Sequence, residues 1–333
     1  MSALARPYRF LISILLAGGL LTLLLVWSDL SPARVWQALG DLGWGVWVGS
    51  LALQGMLYLL RAQRLRALLT PNGPRPIGGL MAVSVTHTLM AYLLPARLGE
   101  ATLPLYLAKG LGRSKSEGAA ILLLVRLLDF ACLTGTMSVV CLMLGSSLKY
   151  PELTWLTPLG FALLVPATLF LVLILRSSLL IELLAGMLSM LKLGRWPMGR
   201  RALEFTELVG KDVRQVGGLK LLVAGAWTLP LWFGIFSFWG WLAVRTGLAD
   251  LGLLEATFGS SLTVLSTLVP LNAFAGVGFQ DAGFAFGFGV LGADPTAAAA
   301  SAIATHLVYT VNLLMYGVIG QIFMPRGAET TSP

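Results

Sequence analysis

A proline turn inside a long apolar stretch decides the fold, and it reads LLPARLGE over residues 93–100. The residues from 77 to 96 carry no acidic or basic side chain except one histidine, yet Arg97 and Glu100 follow the proline directly. An irregular turn at membrane depth is tolerated only where it lines a cavity or lies buried in protein. The pattern therefore predicts a re-entrant helical hairpin, in which 77–96 enters a membrane and 97–110 returns from it.

The composition of the whole chain requires a membrane environment. Of 333 residues, 57% are hydrophobic and only 11% are charged, and the mean hydropathy is +0.83. A soluble domain is about a quarter charged, so this chain has too little polar surface to be a water-soluble globule. We predict an all-α polytopic membrane protein with about six spanning helices and two re-entrant helical hairpins.

Uncharged or nearly uncharged stretches long enough to cross about 30 Å of hydrocarbon recur along the chain. They are 10–27, 42–60, 77–96, about 118–145, 153–175, 221–244, about 256–280 and 295–324, with a shorter apolar piece at 282–293. The first stretch is longer than the core of a signal peptide and lacks a small-residue cleavage site after it, which favours a retained span.

Charge placement orients these spans, because cytoplasmic loops of membrane proteins are enriched in Lys and Arg. With a cytoplasmic N-terminus, the loop 61–76 lies inside together with Arg61 and Arg64. A full crossing by 77–96 would put the basic stretch 109–115 outside, whereas a hairpin keeps it inside. The amphipathic, basic segment 176–220 is then cytoplasmic as well, as is the C-terminus. The net charge of +8 fits an anionic membrane surface, and we expect no nucleic-acid partner.

The proline turn has a second copy later in the chain. Leu93-Leu94-Pro95 recurs as Leu268-Val269-Pro270, and beyond a five-residue insertion the two regions match at an offset of 180 residues. We predict a second hairpin, 256–271 and 277–291, that enters from the opposite face. Repeat 1 then covers about 77–145 and repeat 2 about 256–324, inside one domain of residues 1–327 followed by a disordered tail, 328–333. Inverted repeats of this kind are typical of secondary transporters.

Ionisable and polar residues at membrane depth are the candidate site, because each charge there costs from about 2.5 kcal/mol. We expect no catalytic residue, no metal ligand and no cofactor. The candidate substrate-binding residues are Arg97, Glu100, Arg126 and Asp129 in the first repeat, and Gln280, Asp281, His306 and Asn272 in the second. Two interpretations stay open for the first four: they neutralise one another and fix the hairpin, or the arginines bind an anionic group through bidentate hydrogen bonds.

The motif PARLGE over residues 95–100, followed by the basic stretch 109–115 and by Arg126 and Asp129, resembles a known family. It is similar to the lysylphosphatidylglycerol synthase transmembrane, or flippase-like, family, which includes hopanoid-associated flippase-like proteins. Many members have Glu where this chain has Asp281, and Arg where it has His306. The resemblance covers about 10–324 and implies a protein of the bacterial inner membrane. Without the soluble aminoacyl-transferase domain of two-domain members, we expect the transport function alone.

Three functions follow as alternatives. The first is a flippase that moves a polar or anionic lipid, such as a phospholipid, an aminoacyl-lipid or a polyprenyl phosphate, between leaflets. The second is a membrane scaffold or regulatory partner of an envelope lipid or glycan synthase, docked through the basic segment 192–220. The third is an intramembrane enzyme acting on lipid phosphates, for which the sequence shows no nucleophile beside metal ligands. The oligomeric state is not indicated by the sequence.

Overall fold

Long apolar stretches broken by proline and glycine give a bundle of helices of unequal length. The computed structural model describes residues 32–70, 76–190, 196–248, 251–268 and 276–325. The first predicted span, 10–27, and the predicted tail, 328–333, lie outside the described residues.

Within the described residues the chain forms twelve α-helices and two 3-10 helices, and no strand. The α-helices are α1 Pro32–Gly40, α2 Trp44–Leu68, α3 Ile77–Leu93, α4 Thr102–Leu111, α5 Lys115–Gly145, α6 Leu156–Leu175, α7 Ser177–Met190, α8 Pro197–Gln215, α9 Gly218–Arg245, α10 Leu253–Leu268, α11 Phe279–Val290 and α12 Pro295–Ile322. The 3-10 helices are Pro95–Ala101 and Pro151–Leu153.

Helices α5, α6, α9 and α12 are each long and apolar enough to cross a bilayer. Helix α2 is as long but more polar, since it carries Gln54 and three arginines. The prediction of an all-α polytopic membrane protein is confirmed. The predicted hairpin arms correspond to shorter helices. Helices α3 and α4 flank the first proline in the sequence, and α10 and α11 flank the second.

Contacts between helices fall into matching pairs along the chain. Helices α2 to α5 and helices α9 to α12 each run long, short, short, long. Neighbours contact each other in both series: α2–α3 and α9–α10, α3–α4 and α10–α11, α4–α5 and α11–α12. Contacts between the series are reciprocal too, since α3 packs on α12 as α10 packs on α5, and α2 packs on α9. The helix that comes just before each series packs on the last helix of the other series, α1 on α12 and α8 on α5.

One prediction at the end of α2 is wrong. The sequence places Arg61 and Arg64 in a cytoplasmic loop, but the helix continues to Leu68 and Arg64 is buried. Apolar windows end at the first charged side chain, whereas a helix continues as long as its charges find partners. Likewise, the segment 28–41 between the first two predicted spans is partly helical, as α1.

The segment between the two series also folds as helices. Helices α7 and α8 pack on each other, and α8 packs on α5. Helix α8 buries Val209 and Val213 in the same core as Ile181 of α7, while Arg200 and Arg201 on it are exposed. This distribution agrees with the amphipathic character predicted for 176–220.

Glycines set the close approach of α10 and α11. A Cβ atom at Gly287 would lie 2.8 Å from the backbone oxygen of Gly259 on α10, so the two backbones touch there. Gly289, two residues further along the same helix, has no atom within 4 Å of its would-be Cβ. Small residues at the contact of membrane helices allow such close packing.

We therefore expect Gly287→Ala to destabilise the protein and Gly289→Ala to leave it unchanged or slightly more stable. Overpacking a fixed contact costs about 1–3 kcal/mol, whereas Ala in an open helical position is favoured over Gly by about 1 kcal/mol. Thermal unfolding of the two variants in detergent measures this difference. Equal midpoints for both variants would contradict the close contact.

Candidate functional site

A cavity of about 240 Å³ lies between the two helix series. Its wall is built from α2, α3 and α5 of the first series, from α9 to α12 of the second, and from the 3-10 helix Pro95–Ala101. Five charged residues line it, namely Arg61, Arg64, Glu100, Arg126 and Asp129. Aromatic side chains from α9 and α12 line another part of the wall.

The PARLGE motif forms the tight segment that carries Glu100 to this cavity. Proline ends α3 because it lacks a backbone N–H, and the chain continues as the 3-10 helix Pro95–Ala101. A Cβ atom at Gly99 would collide with the backbone of Met90 and Ala91 on α3, so only glycine fits there. The hydroxyl of Thr102 donates to the Gly99 carbonyl at 2.6 Å and closes the segment.

Four ionisable side chains form a chain of alternating charge beside the cavity. Arg126 donates from Nε to Glu100 Oε2 at 3.0 Å, and its Nη2 donates to the same oxygen. Its Nη1 donates to Asp129 Oδ2 at 3.2 Å. The other carboxylate oxygen of Asp129 accepts from Arg64 Nη1 at 2.5 Å and from Trp232 Nε1 at 2.9 Å. Glu100, Arg126, Asp129 and Arg64 therefore connect the 3-10 helix, α5 and α2, with α9 attached through the indole.

Arg126 forms an ion pair with Asp129 on its own helix, and Glu100 of the 3-10 helix pairs with Arg126 as well. His87 of α3 approaches this group with Nε2 4.0 Å from Glu100 Oε2, while its Nδ1 lies 3.0 Å from the Thr102 hydroxyl. His87 is thus a packed, hydrogen-bonded histidine at the edge of the charge chain.

Arg61 differs from the other two arginines of the cavity. Its Nη1 lies 3.5 Å from the Thr88 hydroxyl, and its buried Nε has no hydrogen-bond partner. Among the described residues no carboxylate lies within ion-pair distance of it. Arg61 therefore presents to the cavity a positive charge that no neighbouring side chain neutralises at close range.

The second series brings a different group to the same place. Asp281 at the start of α11 accepts from the Gly278 backbone N–H at 2.9 Å through Oδ2. Its Oδ1 lies 2.7 Å from His306 Nδ1. The other imidazole nitrogen, Nε2, is hydrogen-bonded to the Tyr92 hydroxyl of α3, which also lies 2.6 Å from the Thr310 hydroxyl. The second series therefore contributes the close pair His306–Asp281, as the first contributes Arg126–Glu100.

Gln280 completes the described polar lining. It is 3% exposed, and its Nε2 has no hydrogen-bond partner. A buried amide N–H₂ without a partner is costly, so this donor is available to a bound group. The described residues contain no cluster of three or more His, Cys, Asp or Glu side chains able to hold a metal ion.

Six of the eight predicted site residues are therefore placed in or beside the cavity, and two are not. Asn272 lies outside the described residues, and the side chain of Arg97 does too, although its backbone belongs to the 3-10 helix. Sequence reasoning missed Arg61 and Arg64 as site residues. Their signal was the spacing of Gln54, Tyr58 and Arg61, which places three polar groups on one face of a helix.

We expect Arg64→Ala to destabilise the protein by about 3–5 kcal/mol, because it leaves the Asp129 carboxylate buried with one cation fewer. Arg61→Ala, less than one helical turn away, breaks no ion pair and is the matched control. Thermal unfolding in detergent measures both. Equal losses for the two variants would show that the Arg64–Asp129 pair, with side chains 5% and 12% exposed, has no special role in stability.

The family model described as the lysylphosphatidylglycerol synthase TM region matches residues 10–317. No curated protein and no solved structure gives a match. The family match spans nearly the whole chain and confirms the resemblance that the PARLGE motif indicates. The chain belongs to this family.

Proposed function

We propose that this member of the lysylphosphatidylglycerol synthase TM-region family moves a lipid with an anionic headgroup between the two leaflets of the bacterial inner membrane. The headgroup occupies the cavity between the two helix series, and no covalent chemistry takes place. The observation that supports this most directly is Arg61, a half-buried arginine that lines the cavity without a carboxylate partner among the described residues.

The charge balance of the cavity wall favours an anion. Three guanidinium groups and two carboxylates line it, which leaves one positive charge. A single unneutralised positive charge at membrane depth is unfavourable by itself. A phosphate or carboxylate in the cavity would neutralise it, and the planar fork of arginine suits both groups.

The size of the cavity favours a headgroup over a whole lipid. Pockets that enclose drug-sized ligands measure about 300–1,000 Å³, and this cavity measures about 240 Å³. The acyl chains would therefore stay in the bilayer while the headgroup crosses. Enclosing the headgroup removes most of the free-energy cost of moving a polar group through hydrocarbon.

The paired helix contacts support the mechanism of transport. A cavity between two structurally equivalent units, inserted from opposite faces, can open toward either side by a tilt of one unit against the other. We propose that the two proline turns mark the two re-entrant hairpins and that the repeats are inverted. Both termini would then be cytoplasmic.

We expect Arg61→Ala to slow the translocation of a fluorescent phosphatidylglycerol analogue by about tenfold to a hundredfold. A hydrogen bond to a charged group contributes about 1.5–3 kcal/mol, and 1.4 kcal/mol is a factor of ten. Proteoliposomes with the analogue in one leaflet and an impermeant quencher outside report the rate. A phosphatidylcholine analogue with the same acyl chains tests whether the headgroup matters.

The matched control is Arg66→Ala, since Arg66 belongs to the same helix but is exposed. Its translocation rate should equal that of the wild type. If wild type and Arg61→Ala move phosphatidylglycerol equally fast, the cavity is not the route of the headgroup. If the wild-type protein moves neither analogue, lipid transport of this kind is wrong.

A further inference from the structure

The hydrogen-bonded chain of Asp281, His306 and Tyr92 contains the one ionisable imidazole of the second helix series. We propose that Asp281 and His306 form a proton-binding site that couples the movement of the anionic headgroup to the movement of protons. This inference rests on the proposed function, because it names the ion that drives transport through the same cavity.

The geometry gives both nitrogens of His306 a defined partner. Nδ1 faces the Asp281 carboxylate at 2.7 Å, and Nε2 faces the Tyr92 hydroxyl. Asp281 is 2% exposed and is held in place by the Gly278 N–H. A carboxylate that accepts from Nδ1 supports both the neutral ring and the imidazolium.

A proton from the aqueous phase that binds His306 reverses the hydrogen bonds beyond it. In the neutral ring Nδ1–H donates to Asp281, and Nε2 accepts from the Tyr92 hydroxyl, which in turn accepts from Thr310. In the imidazolium Nε2–H donates to the Tyr92 oxygen, so the Tyr92 hydroxyl must donate to Thr310 instead. Hydroxyl groups can both donate and accept, so each arrangement satisfies every group.

The charge of the site changes with this proton. The lining residues have one net positive charge, and Asp281 pairs with His306 and not with Arg61. Counting Asp281 together with the lining residues gives a net charge of zero when His306 is neutral, although Arg61 still has no carboxylate within ion-pair distance. Protonated His306 restores one positive charge next to the cavity wall. An anionic headgroup is therefore bound more tightly by the protonated state, and by linkage the headgroup strengthens proton binding by the same factor.

The ionisable groups that the neighbouring helices bring close to His306 are few, and His306 is the only imidazole among them. Helix α11 presents Asp281 to it and α3 presents Tyr92, while the other histidine, His87, faces Glu100. From α2, Tyr58 and Arg61 lie along the cavity wall together with Tyr309 of α12 itself. Helix α9 contributes Trp239, which packs against Tyr309 of α12 and does not titrate.

Tyr92 connects the proton to the cavity and to both helix series. It belongs to α3 in the first series, contacts α12 of the second and lines the cavity. Its ring packs edge-on against Tyr309 with centroids 5.5 Å apart. A change in the hydrogen bonding of Tyr92 therefore alters the contact between α3 and α12. At this contact the two helix series must shift against each other during the proposed transport.

The first test observes the proton directly in the full chain in lipid nanodiscs. The sequence has only two histidines, so ¹⁵N-histidine labelling gives two imidazole spectra, and His87→Gln identifies which belongs to His306. We expect the His306 signals to change from neutral to imidazolium as the pH is lowered through the range of about 8.5 to 5, which brackets the ordinary histidine pKa of about 6.5. Adding dihexanoyl phosphatidylglycerol should move that change to higher pH, whereas dihexanoyl phosphatidylcholine should not. A His306 ring that stays in one protonation state over this range overturns the proposal.

The second test measures coupling in proteoliposomes. A pH difference across the membrane should change the wild-type translocation rate of the phosphatidylglycerol analogue at least threefold. His306→Gln and Tyr92→Phe should lose this response. Tyr106→Phe should keep it, because Tyr106 lies on α4 and is not hydrogen-bonded to Asp281, His306 or Tyr92. Variants that respond as the wild type does overturn the proposal. If the wild-type protein moves no lipid but its His306 titrates, the proposed function is refuted, whereas the assignment of His306 and Asp281 as a proton-binding site is retained.

Discussion

The alternating charges of Glu100, Arg126, Asp129 and Arg64 are the interaction on which the rest of the structure depends. Each of these groups alone at membrane depth would cost from about 2.5 kcal/mol. Together they neutralise one another within hydrogen-bond distance. The free-energy cost of burying them is therefore offset only when the 3-10 helix, α5 and α2 are correctly placed relative to one another. The indole of Trp232 on α9 binds the same carboxylate, which ties the second series to that arrangement. A cavity with fixed charged walls follows from this requirement.

The sequence predicts those parts of the site that are local. Pro95 ends a helix, Glu100 follows within a turn, and Arg126 and Asp129 are three residues apart on one helix, so each of these features has a short-range cause. The partner of Asp129 could not be predicted in this way, because Arg64 lies 65 residues away in the chain. Its helix was also expected to end before it, since a hydropathy pattern cannot show that a distant carboxylate will neutralise an arginine.

The two helix series resemble each other more in their packing than in their sequences. Few residues match at the offset of 180, yet consecutive helices pack on each other in both series, from α2 to α5 and from α9 to α12. Helix packing requires small residues at close approaches, as at Gly287, and proline at the turns, but leaves most other positions free. Each series also contains a close pair of ionisable side chains, Arg126–Glu100 in one and His306–Asp281 in the other.

That difference makes the two crossings between the series unequal. The crossing of α5 and α10 is apolar, with Cys141 and Leu144 packed in one core with Phe258. The crossing of α3 and α12 contains Tyr92 and its hydrogen bonds to His306 and Thr310. Apolar contacts are non-directional, so this crossing contains no donor and acceptor atoms that fix the relative position of the two helices. Hydrogen bonds between fixed donors and acceptors allow only discrete arrangements, so the α3–α12 crossing restricts the relative positions of its two helices more than the apolar crossing does. A crossing without directional contacts and a crossing held by hydrogen bonds therefore constrain the two helix series unequally.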